Sequence, residues 1–199
     1  MKTLLTEDWV QIPKDVTVTV KARVVAVTGP RGCVTKDFSH LPCEIQRTKK
    51  GDHKSEAGNY LRIRMWFGGR KQACAVNTLK SHISNMCQGV TEGFLYKMRC
   101  VNAHFPINCS VPKDGSSIDV KNFLGGKQIK HIDMIPGVTC SISAETKDEL
   151  IFQGFDNYAV SLCCARVCQS VNVGDKDERK FLDGIFVSQK TLIKKNEDY

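Results

Sequence analysis

The sequence predicts an α+β protein made of two similar duplicated domains, each a small antiparallel sheet packed against a helix. Three observations support this fold class. Several short segments alternate apolar and polar residues, which is typical of strands with one buried face. Two longer segments repeat apolar residues every three or four positions, which is typical of amphipathic helices. The order strand, glycine turn, strand, strand, helix occurs twice along the 199 residues.

The first half contains three predicted strands and one predicted helix. Between the second and third strands lies a polar stretch rich in Lys and Gly, which predicts a loop. The glycine turn joins two of the strands because Gly and Pro together favour a tight reversal. In chain order the predictions are a strand at 16–24, a turn at 29–32, a strand at 33–38, a loop reaching residue 58, a strand at 61–67 and a helix from Arg70 to near Gly89.

The second half repeats this order with different residues. The segments 24–38 and 118–132 correspond, because each has a glycine turn in its middle. The helix is predicted to begin at a cap formed by Asp156 or Asn157. In chain order the predictions are strands at 94–103 and 107–111, a turn at 112–115, a strand from 118, a turn at Gly125 and Gly126, a return strand at 129–132, a hairpin of 138–143 with 150–153, and a helix carrying Val160, Cys164, Val167 and Val171. We therefore expect domains at 1–90 and 91–190, and a tail at 191–199.

Charge is unevenly distributed along the chain, whose formal net charge is +8. Residues 1–90 carry 15 cations and 7 anions, whereas residues 91–199 carry 14 of each. Within the second half, cations dominate 93–132 and anions dominate 133–175, so we expect the acidic stretch to face away from a polyanion. Such asymmetry indicates an oriented partner, and nucleic acid is the usual polyanion. The alternative is a solvated surface whose charge merely favours solubility.

The chain has ten cysteines but no Cys-x-x-Cys pair, which removes the commonest zinc and redox spacings. The N-terminus lacks the apolar core of a secretory signal, and no apolar run is long enough for a membrane-spanning helix. We therefore expect an intracellular chain with free, mostly buried thiols that behave as small apolar residues. Phosphate-binding loops, dinucleotide fingerprints, zinc-protease motifs and serine-hydrolase motifs are absent. A cysteine-dependent metal-binding or redox protein stays open as an alternative.

The segment Gln169 to Lys190, QSVNVGDKDERKFLDGIFVSQK, resembles the eukaryotic signature of a ribosomal protein family. The family is universal large-subunit protein six, called protein nine of the large subunit in eukaryotes. The stretch GVTEGFLYKMR from Gly89, its continuation AHFPIN from Ala103, the turn 29–32 and the segment NFLG from Asn122 are also similar. Unusual for the family are the cysteines, the loop at 49–59 and the anionic tail 196–199, which indicate a divergent eukaryote.

The resemblance implies two α+β domains that arose by duplication and that have no catalytic activity, cofactor or metal. It implies binding to large-subunit ribosomal RNA near the sarcin–ricin loop and the stalk base, mainly through the second domain. The implied partners are this RNA and neighbouring ribosomal proteins, with no membrane, no small-molecule substrate and no homo-oligomer. The implied location is the ribosome in the cytoplasm, after assembly in the nucleus.

Carried onto this sequence, the resemblance implies a set of RNA-binding residues whose chemistry fits that task. Lys and Arg neutralise phosphates, glycine turns bring backbone amides close to them, and Tyr or His can stack on an unpaired base. The candidates are Tyr96, Lys97, Arg99, His104, Gly125, Gly126, Lys127, Lys130, Lys176, Arg179, Lys180 and Lys190. For Lys97 and Arg99 the alternative is the solvated face of a strand. For 176–180 it is a short helix capped by Asp175 and Glu178. Phe181 and Phe186 are predicted to lie in the core.

Overall fold

The computed structural model describes residues 3–48 and 59–193, and its chain divides into two compact units, Met1–Thr91 and Glu92–Tyr199. Within the described residues, each unit contains two antiparallel sheets and one α-helix. The predicted α+β class and the duplicated sheet-and-helix arrangement are confirmed. The strands of each half, however, divide between two sheets rather than forming one. None of the described helices is both long and apolar enough to cross a membrane.

The first unit places one helix against strands of both of its sheets. The sheets have the orders β1-β6-β5 and β2-β3-β4. Fully buried side chains from both sheets and from the helix form its core, among them Val25, Leu61, Ile63, Leu79 and Ile83. The elements are β1 (Leu5–Gln11), β2 (Thr17–Lys21), β3 (Val24–Gly29), β4 (Gly32–Asp37), β5 (Glu44–Thr48), β6 (Tyr60–Trp66) and α1 (Arg70–Thr91).

Two predictions for this unit need correction. The predicted strand at 16–24 is β2 plus the start of β3, because Ala22 and Arg23 adopt φ angles of 46° and 70° and reverse the chain. A hairpin turn with two successive positive φ angles usually contains Gly or Asn. Ala and Arg at these positions therefore did not indicate a turn. The predicted loop contains strand β5, whose polar residues pair with β6. The rest of that loop, 49–58, and residues 194–199 of the predicted tail 191–199 lie outside the described residues.

The second unit places its helix on a four-stranded sheet of order β11-β12-β7-β13, beside a three-stranded sheet of order β10-β9-β8. Its helix begins after Asp156, whose carboxylate accepts a hydrogen bond from the Tyr158 amide at 3.1 Å. The cap is therefore Asp156 rather than Asn157. The elements are β7 (Phe94–Val101), β8 (Asn108–Ser110), β9 (Ser117–Lys121), β10 (Lys130–Asp133), β11 (Val138–Ile142), β12 (Glu149–Gly154), α2 (Asn157–Ser170) and β13 (Gly184–Leu192).

The two units share one topology with a single addition. The sheet β1-β6-β5 corresponds to β7-β12-β11, and β2-β3-β4 corresponds to β8-β9-β10. Strand β13 has no counterpart in the first unit and pairs antiparallel with β7, with an irregularity between Val187 and Gln189. The sequence analysis did not predict this strand. Its residues 186–190 are all exposed, so the alternation that identifies a half-buried strand is missing.

Candidate nucleic-acid interface

Lys97 and Arg99 lie on the face of the four-stranded sheet that points away from α2. Successive side chains of a strand point to opposite faces, and Tyr96, Met98 and Cys100 are buried in the core with α2. Arg99 is exposed and pairs across the sheet with Glu149 on one side and Phe186 on the other. The Lys97 ammonium lies 4.0 Å from a carboxylate oxygen of Glu149. The sheet face therefore offers one exposed guanidinium and one partly neutralised ammonium.

Glu149 belongs to the acidic stretch 133–175, which was expected to face away from RNA. The pairing shows that this residue instead shares the outer sheet face with Lys97 and Arg99. Its side chain is only 12% exposed. Strand register, and not the average charge of its segment, therefore places Glu149 beside two of the candidate RNA-binding residues.

Tyr96, one of the two candidate stacking residues, is buried in the second unit. Its ring is only 8% exposed, and its hydroxyl donates a hydrogen bond to Oδ1 of Asn157 at 2.6 Å. Burial raises the pKa of this phenol above its ordinary value. The Lys190 ammonium lies 5.5 Å from the ring centroid, a cation–π distance. Tyr96 is therefore a core residue whose ring contacts Lys190. Tyr96 and Met98 are two residues apart on one strand and so point to the same face, which could have indicated that Tyr96 is buried.

The loop at 102–106 meets the glycine turn after β9. The His104 ring lies edge-on to Phe105, with centroids 4.7 Å apart, and Asn122 donates to the Pro106 carbonyl at 2.9 Å. Gly125 has a φ of 74°, and a Cβ atom there would lie 3.2 Å from the Phe105 ring. The structure thus brings together two candidate segments that are about twenty residues apart in the sequence.

The backbone amides of the glycine turn are already used within the turn. The Gly125 amide donates to the Asn122 carbonyl at 3.3 Å, and the Gly126 amide donates to the Phe123 carbonyl at 3.0 Å. Both amides of the predicted phosphate-binding turn therefore have acceptors inside the turn. The glycines shape the turn, and the exposed side chain of Lys127 is what the turn presents to solvent.

Lys130 has a contact inside the unit that the sequence did not suggest. Its ammonium donates to the carbonyl oxygen of Ser170 and lies 5.4 Å from the Phe123 ring centroid. Ser170 is the last residue of α2, where unpaired carbonyl oxygens attract a cation. Lys130 therefore caps the helix, and its charge is largely committed to that role.

Residues 176–180 form turns rather than the short capped helix that was the alternative. The Lys180 and Phe181 amides both donate to the Asp177 carbonyl at 3.0 Å. Arg179 Nε lies 3.1 Å from an oxygen of Asp177, and this contact lowers the pKa of the Asp177 carboxyl. The Arg179 side chain is nevertheless 89% exposed, and Lys180 is exposed as well. An exposed salt bridge of this kind contributes little to stability.

Phe181 and Phe186 are exposed, so the prediction that both lie in the core is wrong. Phe181 is 40% and Phe186 is 48% exposed. The Lys176 ammonium lies 4.6 Å from the Phe181 ring centroid. Both rings line a cleft of about 400 Å³ between the end of α2 and the start of β13. The surface therefore has exposed aromatic rings, which can stack on bases, beside the cations Lys176 and Arg99, which can pair with phosphates.

Asp183 joins the loop at 102–106 to the start of β13. Its carboxylate accepts a hydrogen bond from the Ala103 amide at 2.5 Å. With the pairing of Arg99 and Phe186, this contact brings β7, the His104 loop and the start of β13 together in the second unit. Asp183 is thus a positioning residue for this surface, and the sequence identified it only as part of a signature.

The cysteines are mostly separate from one another, although the Sγ atoms of Cys100 and Cys109 lie 3.7 Å apart. All ten thiols are free, and no described group of three or more His, Cys, Asp or Glu is arranged to hold a metal ion. Burial raises the pKa of the Cys87 thiol to about 11 and those of Cys140 and Cys164 to about 12. Protonated buried thiols are poor nucleophiles and poor metal ligands. These observations do not favour a cysteine-dependent metal-binding or redox protein.

The fold and this surface define a two-unit α+β protein with cations and exposed rings on its second unit. The family model for ribosomal protein L6 matches residues 12–93. Large ribosomal subunit protein uL6 of Tetrahymena thermophila is 45% identical over 192 residues, 96% of this chain and 98% of that protein. Protein uL6A of Schizosaccharomyces pombe is 42% identical over 96% of each chain. Protein uL6 of the archaeon Aeropyrum pernix is 33% identical over 92% of this chain and 94% of that protein.

The matches with these relatives span nearly the whole chain, and the sequence identity is higher with the eukaryotic proteins than with the archaeal one. The chain belongs to the eukaryotic branch of the ribosomal protein L6 (uL6) family, a family of large-subunit ribosomal proteins.

Proposed function

We propose that this chain is a non-enzymatic structural constituent of the large ribosomal subunit and binds large-subunit ribosomal RNA mainly through its second unit. The observation that carries the proposal is the clustering of Arg99, Phe186 and the His104 loop around β7 and the start of β13. Fixed cations beside exposed rings suit folded RNA, whose phosphates and unpaired bases lie close together. Membership of the uL6 family supplies the large-subunit assignment.

The proposal also includes a location on the ribosomal RNA. We expect the RNA near the sarcin–ricin loop and the stalk base, with other ribosomal proteins at the stalk base as neighbours. On this proposal the protein supports cytoplasmic translation after assembly in the nucleus, and it acts as a single copy without a cofactor.

We assign each candidate residue a role at this interface from the exposure and contacts of its side chain. The first group has exposed charged or ring side chains and supplies direct contacts: Arg99, His104, Lys127, Lys176, Arg179, Lys180 and Lys190. Lys97 contributes more weakly because Glu149 lies beside it. Tyr96, Gly125, Gly126 and Lys130 act indirectly, because their contacts lie within the unit.

Charge reversals test this proposal with a transcribed large-subunit RNA fragment that contains the sarcin–ricin loop. Arg99→Glu and Lys127→Glu should each weaken binding about tenfold or more, and each should lower the slope of log affinity against log salt by roughly one. The matched control is Lys147→Glu, which reverses an exposed cation in the hairpin between β11 and β12. Equal affinities for all three variants and the unmodified chain would contradict the proposal.

A further inference from the structure

The first unit contains a cleft of about 480 Å³ beside the sheet β1-β6-β5. Arg64 and Trp66 reach it from β6, because the alternate residues Leu61, Ile63 and Met65 are buried towards α1. Its volume falls in the range of pockets that hold small planar molecules. Its wall includes Arg23, Pro42, Glu44, Ile45, Arg64 and Trp66.

Arg64 contacts three neighbouring side chains in this cleft. Its Nη2 donates to Oε1 of Gln46 at 2.7 Å and lies 3.3 Å from a carboxylate oxygen of Glu44. Its guanidinium carbon lies 6.0 Å from the centroid of the Trp66 ring. Its Nε is buried without a hydrogen-bond partner among the described residues. A buried donor without a partner is unfavourable, so an incoming acceptor that reached it would gain affinity.

Apolar side chains extend this site onto the surface. Trp66 is 49%, Phe67 is 65% and Leu4 is 64% exposed. They are neighbours, because the Phe67 amide donates to the Leu4 carbonyl at 3.0 Å and Trp66 pairs with Leu5 in the sheet. A cluster of large exposed apolar groups with a charged border is typical of a binding surface.

The charge of the first unit indicates the occupant. Residues 1–90 carry 15 cations and 7 anions, the whole of the chain's excess. Arg23 in the cleft and Arg70 and Lys71 just beyond Phe67 are exposed. Because Arg64 compensates Glu44, the cleft remains cationic. A polyanion with flat aromatic groups matches both the charge and the exposed rings better than an acidic peptide does.

We propose that this cleft binds an unpaired base of RNA, stacked on Trp66, with Arg23, Arg70 and Lys71 at the flanking phosphates. The first unit would then be a second RNA contact, separate from the surface of the second unit. The inference rests on the proposed function only in taking RNA as the partner. Stacking on a single aromatic ring tolerates any base, so the site would select unpaired strands rather than a sequence.

Tryptophan fluorescence tests the site in the full chain. Trp9→Phe leaves Trp66 as the single tryptophan, because the chain has only two. Titration with single-stranded oligouridylate should then quench the fluorescence saturably, because a stacked base quenches an indole. An unchanged signal would overturn the proposal. So would quenching by poly-glutamate without quenching by oligouridylate, because that result would assign the site to an acidic protein.

Affinity measurements with labelled oligouridylate provide the second arm. Trp66→Ala should weaken binding about tenfold, whereas Trp66→Phe should keep most of the affinity because it preserves a stacking ring. Thermal unfolding should be nearly unchanged in both variants, since the side chain is half exposed. Equal affinities for Trp66→Ala and the unmodified chain would contradict the proposal.

Ultraviolet crosslinking of intact large subunits provides the third arm, followed by trypsin digestion. The peptide from Met65 to Arg70 should carry a nucleotide adduct. Recovery of this peptide only in its unmodified form would count against the site.

Binding of the RNA fragment that contains the sarcin–ricin loop separates the two proposals. If Lys127→Glu weakens its binding while Trp66 variants affect no RNA, only this inference fails. If Trp66 variants weaken oligouridylate binding while Lys127→Glu leaves the fragment unaffected, only the proposed function of the second unit fails.

Discussion

The side chain of Lys130 on β10 donates a hydrogen bond to the carbonyl oxygen of Ser170, the last residue of α2. A lysine that looks like a phosphate ligand in the sequence therefore closes a helix end. Lys127, three residues earlier in the chain, is exposed in the preceding turn. The two lysines provide a matched pair for separating stability from RNA binding.

Lys130→Ala should lower the free energy of unfolding by about 1 kcal/mol, because a helix-terminal cation and a hydrogen bond are both lost. Lys127→Ala should leave the free energy of unfolding within about 0.5 kcal/mol and weaken binding of the sarcin–ricin fragment. Urea denaturation and a binding titration measure the two effects. Equal unfolding midpoints for the two variants would show that the contact with Ser170 does not stabilise the unit.

Tyr96→Phe tests the buried hydroxyl. Removing it leaves Oδ1 of Asn157 without its 2.6 Å donor, so the free energy of unfolding should fall by about 1–3 kcal/mol. RNA affinity should change little because the ring stays in the core. A double-mutant cycle with Asn157→Ala isolates the interaction, and independent effects of the two substitutions would contradict it.

Asp183→Ala should release the loop at 102–106 from the start of β13, because the Ala103 amide loses its 2.5 Å acceptor. We expect a loss of about 1 kcal/mol in the free energy of unfolding and a several-fold weaker RNA complex. Asp183→Asn keeps an acceptor oxygen and should restore much of the affinity. If the asparagine variant binds as weakly as the alanine variant, the charge of Asp183 matters more than its hydrogen bond.

His131 should make stability depend on pH in a defined direction. Hydrogen bonds to Asp119 and Asp133 raise the pKa of this imidazole, with Nδ1 at 2.5 Å and Nε2 at 3.1 Å from their carboxylate oxygens. The stabilisation is therefore complete below the ordinary His pKa of about 6.5 and is lost as the pH rises through the raised value. His131→Gln should reduce the difference in melting temperature between about pH 6 and pH 9.

The control for this experiment is His104→Gln, because His104 lies against Phe105 rather than between two carboxylates. An NMR titration of the His131 ring should give a pKa above the ordinary value. A melting-temperature difference that is the same in His131→Gln and the unmodified chain would argue against the carboxylate contacts.

Cysteine labelling at neutral pH should divide the thiols by exposure. Cys33 and Cys74 are exposed and should react rapidly in the folded chain. Cys87, Cys140 and Cys164 are buried with raised pKa values of about 11 to 12 and should react only on unfolding. Iodoacetamide labelling with peptide mapping distinguishes them, and the same reaction in guanidinium should label all ten. Rapid labelling of Cys164 in the folded chain would revive a redox role.

Burial patterns explain what the sequence could predict. The alternation in β6 and the three-and-four spacing in α1 arise because one face of each element is buried, so these elements were predictable. Strand β5 was not predicted because four of its five residues are polar, and β13 was not predicted because residues 186–190 are exposed. Both belong to their sheets through backbone hydrogen bonds to a neighbouring strand, which composition does not reveal.

For the candidate interface, the sequence indicated suitable residue types but not which of their side chains are exposed. Resemblance and charge identified Arg99 and Lys127, and both side chains are exposed. The same reasoning chose Tyr96 and Lys130, whose partners Asn157 and Ser170 are distant in the sequence. Contacts between distant residues decide whether a polar group is available to a ligand, and no local pattern encodes them.

The topology of β13 also bears on the order in which the units can mature during synthesis. Every described strand of the first unit is translated before Thr91, so that unit can fold while the rest of the chain is still being made. The second unit pairs β7 with β13, whose last residue is Leu192. Until that strand emerges, β7 remains an open sheet edge able to pair with other nascent chains. The surface around Arg99 and Phe186 is therefore assembled last.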